Sequence, residues 1–329
     1  MAAVDNEAEK AMTTSQSPET VATKYRLVTR SDFDGLVCAV LLKHINMIDD
    51  ILFVHPKDMQ DGKIEITGRD ITTNLPYVDG VHICFDHHES ETVRNTKQRD
   101  NHIIDPHAMS AARVVFDHFG GNKTFPTRWN GMMEAVDKAD AAQFTVDEIL
   151  NPKGWVLLNY LMDPRTGLGR FRNFRISNYT LMMELIDYCK DHEIEDIMKM
   201  PDVIERVYLY TEQAEMFKEQ VKRVAKIYKN LIVLHLKNEE TIYAGNRFMI
   251  YALYPEQNIS IHEMWGLKQQ NTVFAIGKSI VNRSSKTNIG ELCLKYNGGG
   301  HANAGTCQID NDKADSVLKE LIEKITADG

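Results

Sequence analysis

Asp86-His87-His88 puts one carboxylate and two imidazoles in three consecutive positions, directly after the apolar run Val81-His82-Ile83-Cys84-Phe85. Oxygen and nitrogen donors packed this densely suit a metal site or proton transfer. Three polar residues in a row also make an ordinary loop, so the tripeptide gains meaning only from partners elsewhere. Asp32 and Asp34 stand two apart in Arg30-Ser31-Asp32-Phe33-Asp34-Gly35, and Asp70 follows Arg69. An aspartate ahead of a helix is a common N-cap, which accounts for one of these carboxylates but not for the set. Carboxylates converging from separate strand ends repel one another unless a cation lies between them. The pattern therefore points to a divalent metal. Asp137 and Asp140, late in an expected helix, are further candidates to turn inward, although helix carboxylates more often face water.

The elements that must position these groups read as α/β. Tyr25–Thr29 is an expected strand, followed by the acidic turn with Gly35 and an apolar helix from Leu36 to about Ile45. Ile51–Val54, Lys63–Thr67 and the run ahead of Asp86 supply three more strands. This is the opening of a parallel βαβ sheet, whose ligand groups gather at the carboxyl ends of the strands. Helices are expected over 108–120 and from Trp129 to Ala142. Residues 165–175 carry Arg165, Arg170, Arg172 and Arg175 with Phe171 and Phe174 and no acid. That composition serves either to hold phosphates and stack a base, or to anchor a surface loop by its phenylalanines.

From Pro201, apolar residues at Val203, Val207, Tyr210, Ala214, Phe217, Val221, Val224 and Tyr228 step by four and three, one long helix with a narrow apolar seam. It is expected to connect two domains; a dimer contact is the alternative. Beyond Asn230 the chain turns β-rich, with strands expected at Leu231–Leu234, Phe248–Tyr251, Thr272–Ile276 and Thr306–Ile309 and a helix at Ile289–Tyr296. Gly298-Gly299-Gly300-His301 would let backbone amides approach a ligand closely. Between Lys268 and Gln308 there are five basic residues and one acidic, as suits a domain that grips phosphates.

At 329 residues the chain is long for a single core, and a hydrophobic fraction of 43% with 26% charged residues fits a soluble globular protein. The expected division is a disordered tail at 1–23, a metal-binding catalytic domain at 24–200, the connecting helix at 201–229 and a substrate-binding domain at 230–329. No apolar run reaches the ~20 residues that span a bilayer. The five cysteines form no Cys-x-x-Cys pair and lie mostly in apolar runs, as expected of core residues in a reducing cytoplasm. A net charge of −9 argues against a nucleic-acid coat but leaves room for a local phosphate site.

Taken in order, Asp32-x-Asp34-Gly35, Asp70, Asp86-His87-His88 and Gly298-Gly299-Gly300-His301 resemble the DHH phosphoesterase superfamily, the last motif its associated C-terminal domain. The resemblance runs from about residue 25 to 310. It implies a parallel-sheet N-terminal domain, a smaller mixed α/β C-terminal domain and an active site in the cleft between them. It implies manganese, one ion or two, held by Asp32, Asp34, Asp70 and His87, with Asp70 as the bridge. Asp140 or Asp137 would complete the set, Asp140 being favoured by the small residues after it. His88 would face the scissile phosphate and Asp86 would orient a histidine. Arg283, His301 and the amides of Gly298, Gly299 and Gly300 would hold a neighbouring phosphate.

The implied reaction is hydrolysis of short oligonucleotides or linear dinucleotides to mononucleotides by a water that the cation activates. Two alternatives remain: an exopolyphosphatase or small-nucleotide phosphatase, and a nucleotide-binding sensor whose centre has decayed. Phe171, Phe174 and Tyr296 favour bases over polyphosphate. Implied partners are the substrate and, as an option, a second copy of the chain, with no membrane. One position departs from the family, which places histidine two residues before the first aspartate; here it is Arg30. Arginine stays protonated and ligates no metal. Either the first ion is weakly held, another residue such as His55 replaces the ligand, or Arg30 contacts substrate phosphate.

Overall fold

The computed structural model describes residues 23–94, 97 and 99–329; all but the last position of the expected N-terminal tail lies outside them. Strands β1 (Tyr25–Thr29), β2 (Ile48–Phe53), β3 (Asp70–Thr73), β4 (Ile83–Asp86) and β5 (His102–Ile104) form a sheet in the order β2-β1-β3-β4-β5. Every pairing in it is parallel, so all five strands end at the same rim. The helix Phe33–His44 is buried from Phe33 through Leu42, as a helix apolar on all sides must be. It packs against helices Ala111–His118, Asn130–Asp140 and Asn178–Asp191.

The third strand corrects the sequence reading. Lys63–Thr67 contains no strand, and β3 is instead Asp-Ile-Thr-Thr, buried at all four positions. Its threonines looked polar, yet they are β-branched and suit a strand. The hydroxyl of Thr73 donates to that of Thr29 at 2.7 Å, and Thr29 Oγ1 donates to the Thr73 carbonyl at 3.1 Å. Asp70 consequently begins β3 rather than following a strand.

The second sheet contains β6 (Ala225–Tyr228), β7 (Leu231–His235), β8 (Ile259–Trp265), β9 (Thr272–Lys278), β10 (Gly299–His301) and β11 (Ala304–Ile309), in the order β10-β11-β9-β8-β7-β6. Only β7 and β8 pair in parallel; the other pairings are antiparallel. The long helix Pro201–Val224 runs straight into β6. The strand expected at Phe248–Tyr251 is a helix, Met249–Leu253, since a short apolar run is compatible with either element.

Alternate residues of β7 face opposite sides, as strand geometry requires. Leu231 and Val233 join a core with Phe274, Leu321 and Ile325. Ile232 and Leu234 join the core of the first sheet through Phe217, Ile250 and Tyr251. The architecture is thus α/β, a parallel sheet and a mixed sheet packed into one body. No helix among the described residues is long and apolar enough to cross a membrane.

Gly298 and Gly300 of the glycine run serve packing, whereas Gly299 faces open space. A Cβ on Gly298 would lie 2.3 Å from the Thr306 carbonyl oxygen, and one on Gly300 would lie 2.3 Å from that of Ala304. Gly298→Ala should therefore lower stability by about 1–3 kcal/mol, read as a fall in the thermal midpoint; an unchanged midpoint would show that β10 yields freely.

Candidate metal centre and substrate cleft

Asp34, His87 and Asp140 each offer one ligand atom, and the three atoms lie within 4.8 Å of one another. Asp34 sits in the first turn of the helix Phe33–His44, at the sheet rim where β1 ends. Its Oδ1 accepts from Ala112 N at 2.8 Å and its Oδ2 from Ala111 N at 3.0 Å, so the start of a second helix fixes the carboxylate. His87 follows β4, and its Nδ1 lies 3.2 Å from the Ala108 carbonyl. A proton on Nδ1 makes that contact a hydrogen bond and leaves Nε2 as the lone-pair nitrogen. Nε2 is buried, without hydrogen-bond geometry to any partner among the described residues, 2.9 Å from Asp140 Oδ2.

A buried carboxylate, Asp34, and a more exposed one, Asp140, beside an imidazole lone pair form a donor set that fits one divalent cation. Without the cation the site is strained in charge. Burial and then Asp140 push Asp34 up to about 7, against the opposing pull of His87. Burial disfavours the charged His87 ring, but Asp140 and Asp34 outweigh it and raise the group to about 9.

The other expected ligands fall differently. Asp70 begins its strand, so it sits at the opposite rim, where its Oδ1 accepts from Arg26 Nε at 2.6 Å and its Oδ2 from Thr67 N at 2.6 Å. It cannot bridge ions at the centre. Asp137 accepts from Ser110 Oγ at 2.7 Å and from Arg113 Nε at 2.9 Å; it clamps two helices together and leaves Asp140 to face the centre. His55 caps the helix Pro56–Gln60, accepting from Lys57 N at 3.1 Å, and is not a substitute ligand.

Asp32 is the N-cap of the first helix, accepting from Gly35 N at 3.0 Å. Its Oδ2 is also 3.1 Å from Arg30 Nε, and its Oδ1 accepts from Asn74 Nδ2 at 3.3 Å. Asn74 directly follows β3 and so occupies the rim position that Asp70 was expected to fill.

Asp86 is fully buried. Its Oδ1 accepts from the backbone amides of His87 at 2.8 Å and His88 at 3.3 Å, and lies 2.7 Å from His88 Nδ1. The carboxylate thereby holds the His88 ring by one nitrogen. The side chain is 40% exposed, so the other nitrogen remains available.

Beside the centre lies a cavity of about 710 Å³, lined by Asp140, Arg165, Arg247, Lys278, Arg283 and Thr306. Arg283 donates to the Ala142 carbonyl at 3.0 Å, joining the loop after β9 to the turn after Asp140. Arg247 Nε is buried with no partner among the described residues, and its guanidinium stacks 4.3 Å from the Phe248 ring centroid. Burial, then the nearby Arg165, lowers Arg247 to about 10, a cation held where an anion would relieve it.

Arg165 belongs to the arginine-rich stretch singled out in the sequence; Arg247 and Asn74 do not. Neither belongs to a motif, and only the packing reveals them. Gly298, Gly299, Gly300 and His301 lie in or beside the exposed strand β10, whereas Asn303, Ala304, Gly305 and Thr306 build that part of the cavity wall.

No family model matches the chain. Over 243 residues, or 68% of this chain, it is 25% identical to the A-adding tRNA nucleotidyltransferase of Aquifex aeolicus, and it spans 27% of the length of that curated relative. Among solved structures, it is 66% identical to the pGpG-specific phosphodiesterase PggH from Vibrio cholerae, with a TM-score of 0.85 over 93% of this chain and 100% of that one. RecJ from Thermus thermophilus, in complex with manganese, has 14% identity and a TM-score of 0.52, over 93% of this chain and 52% of that one; that likeness is one of fold.

Proposed function

Because the chain belongs to the DHH phosphoesterase superfamily and is a metal-dependent phosphodiesterase of short nucleotides, we propose that its substrate is a linear dinucleotide with a 5′-phosphate. Water and the dinucleotide become two mononucleotides: water oxygen bonds to the internal phosphorus, and the bond to the 3′-oxygen breaks. The observation that carries this reading is the cavity. Its volume of about 710 Å³ falls in the ~300–1,000 Å³ range of small-molecule sites, and its cations lie beside the donor cluster. Identity of 66% with an enzyme described as pGpG-specific supports the same substrate class.

Asp34, His87 and Asp140 would hold the cation, which supplies Lewis acidity and a lowered pKa for a water. His88, oriented by Asp86, is placed to give a proton to the departing 3′-oxygen. Arg165 and Arg247 would hold the 5′-phosphate, and Phe248 and Tyr251 offer aromatic surface for a base.

The test is manganese-dependent hydrolysis of pGpG, GpG, a pentanucleotide and long-chain polyphosphate by the same preparation. We expect pGpG to have the highest kcat/KM; faster turnover of polyphosphate or of the pentanucleotide would overturn the assignment. Arg247→Met should raise KM for pGpG about 10–100-fold, the equivalent of one charged hydrogen bond, with a smaller change for GpG. Equal changes for the two substrates would remove Arg247 from 5′-phosphate recognition.

A further inference from the structure

We propose that the centre takes a single divalent ion and that the Arg30 guanidinium stands as a fixed positive charge where a second ion would otherwise lie. The ion count is independent of the substrate proposed above; Arg30's contact with a substrate phosphate rests on that reading.

Charge and donor chemistry divide the centre into two halves. Asp34, Asp140 and the His87 lone pair form the only donor group of its kind found among the described residues. With two negative charges and three donors it balances one divalent cation. The other half contains Arg30, Asp32 and Asn74. Asp32 Oδ2 lies 3.1 Å from Arg30 Nε, and Asp32 Oδ1 accepts from Asn74 Nδ2 at 3.3 Å, so a cation and an amide already face its oxygens.

An ion shared between the halves would require a bridging carboxylate. The residue at that rim position is Asn74, 1% exposed, whose amide has one oxygen donor and no charge. Asp70, the carboxylate available on the same strand, is bound to Arg26 at the far rim. A second divalent ion would therefore have one carboxylate, which is shared, and would sit against a permanent guanidinium. The donors do not fit it.

Arg30 instead provides charge without exchange. Its Nε is directed to Asp32, and its side chain is 26% exposed, which leaves its terminal amino groups open to a phosphate oxygen. A guanidinium binds two oxygens in a fixed plane, so it orients a phosphate more tightly than a hydrated ion would.

The deciding experiment is manganese stoichiometry of the full chain, by titration calorimetry and elemental analysis, with the electron paramagnetic resonance spectrum of the loaded protein. We expect one ion per chain with an isolated-ion spectrum, and none bound at the same concentration by Asp34→Asn. The double variant Arg30→His, Asn74→Asp should bind two and show spin coupling between them. Arg30→Ala should keep one ion while kcat falls roughly 10²-fold, with partial recovery on adding guanidinium.

Two ions per wild-type chain, or a folded double variant that still binds one, would overturn the inference. Unchanged kcat in Arg30→Ala would remove its contact with phosphate. If the double variant does not fold, the wild-type count and spectrum decide alone. Because the count requires no turnover, a wrong substrate assignment leaves it intact.

Discussion

Asp140→Asn should yield a folded protein that has lost turnover by about 10³-fold or more. A cation held by Asp34, His87 and Asp140 would contribute several kcal/mol to the transition state, and each ~1.4 kcal/mol is tenfold in rate. Asparagine keeps the shape of the side chain but removes one of the two charges that would balance such an ion. In the metal-free protein the substitution removes both the repulsion that helps push Asp34 up to about 7 and the attraction that raises His87 to about 9, two effects of opposite sign on stability. In chelator the variant midpoint should therefore stay close to that of the wild type, and manganese should raise the wild-type midpoint while leaving the variant nearly unmoved. Activity within tenfold of wild type, or a full manganese shift in the variant, would remove Asp140 from the centre. Loss of activity with a large fall in the metal-free midpoint would mean that Asp140 is structural.

Asp86→Asn addresses a different function at nearly the same place. Asp86 Oδ1 accepts from two backbone amides and faces His88 Nδ1 at 2.7 Å. An amide oxygen can still receive the backbone donors, so the turn after β4 should survive. Its amide hydrogens, however, can bind the wrong His88 tautomer, so the ring loses its fixed orientation. We expect kcat to fall by about 10²–10⁴, the usual share of general acid catalysis, with manganese stoichiometry unchanged. The acid role also predicts that the loss shrinks where the leaving group needs no proton. A substrate with a nitrophenolate leaving group should therefore be affected far less than a dinucleotide. Equal losses on both substrates would assign Asp86 to structure rather than to His88.

The chemistry-bearing motifs were legible because they are local. Asp32-x-Asp34-Gly35 and Asp86-His87-His88 each lie at the end of an apolar strand, and a parallel sheet places its strand ends on one rim. The first strand and its helix, the long helix from Pro201 and the strands at Leu231 and Thr272 were readable from apolar spacing for the same reason. The arginine-rich stretch was visible as composition, though only Arg165 of it lines the cavity beside the centre.

Register and packing decided the rest. Asp70 and Asn74 are four residues apart, roughly 13 Å at ~3.3 Å per strand residue; a strand read about seven residues too early therefore put the wrong side chain at the centre. Asp137 and Asp140 lie three apart on one helix and share a face, so spacing could not separate them; Ser110 and Arg113 did, by binding Asp137. Arg247 belongs to no motif and joins Arg165 only because the second sheet docks through Ile232 and Leu234 against the first core. Sequence alone determined the donor types and the phosphoesterase chemistry, since those depend on residue identity within short segments. Which donors meet, and how many ions they can hold, depends on contacts between segments far apart in the chain, and only the tertiary structure brings those together.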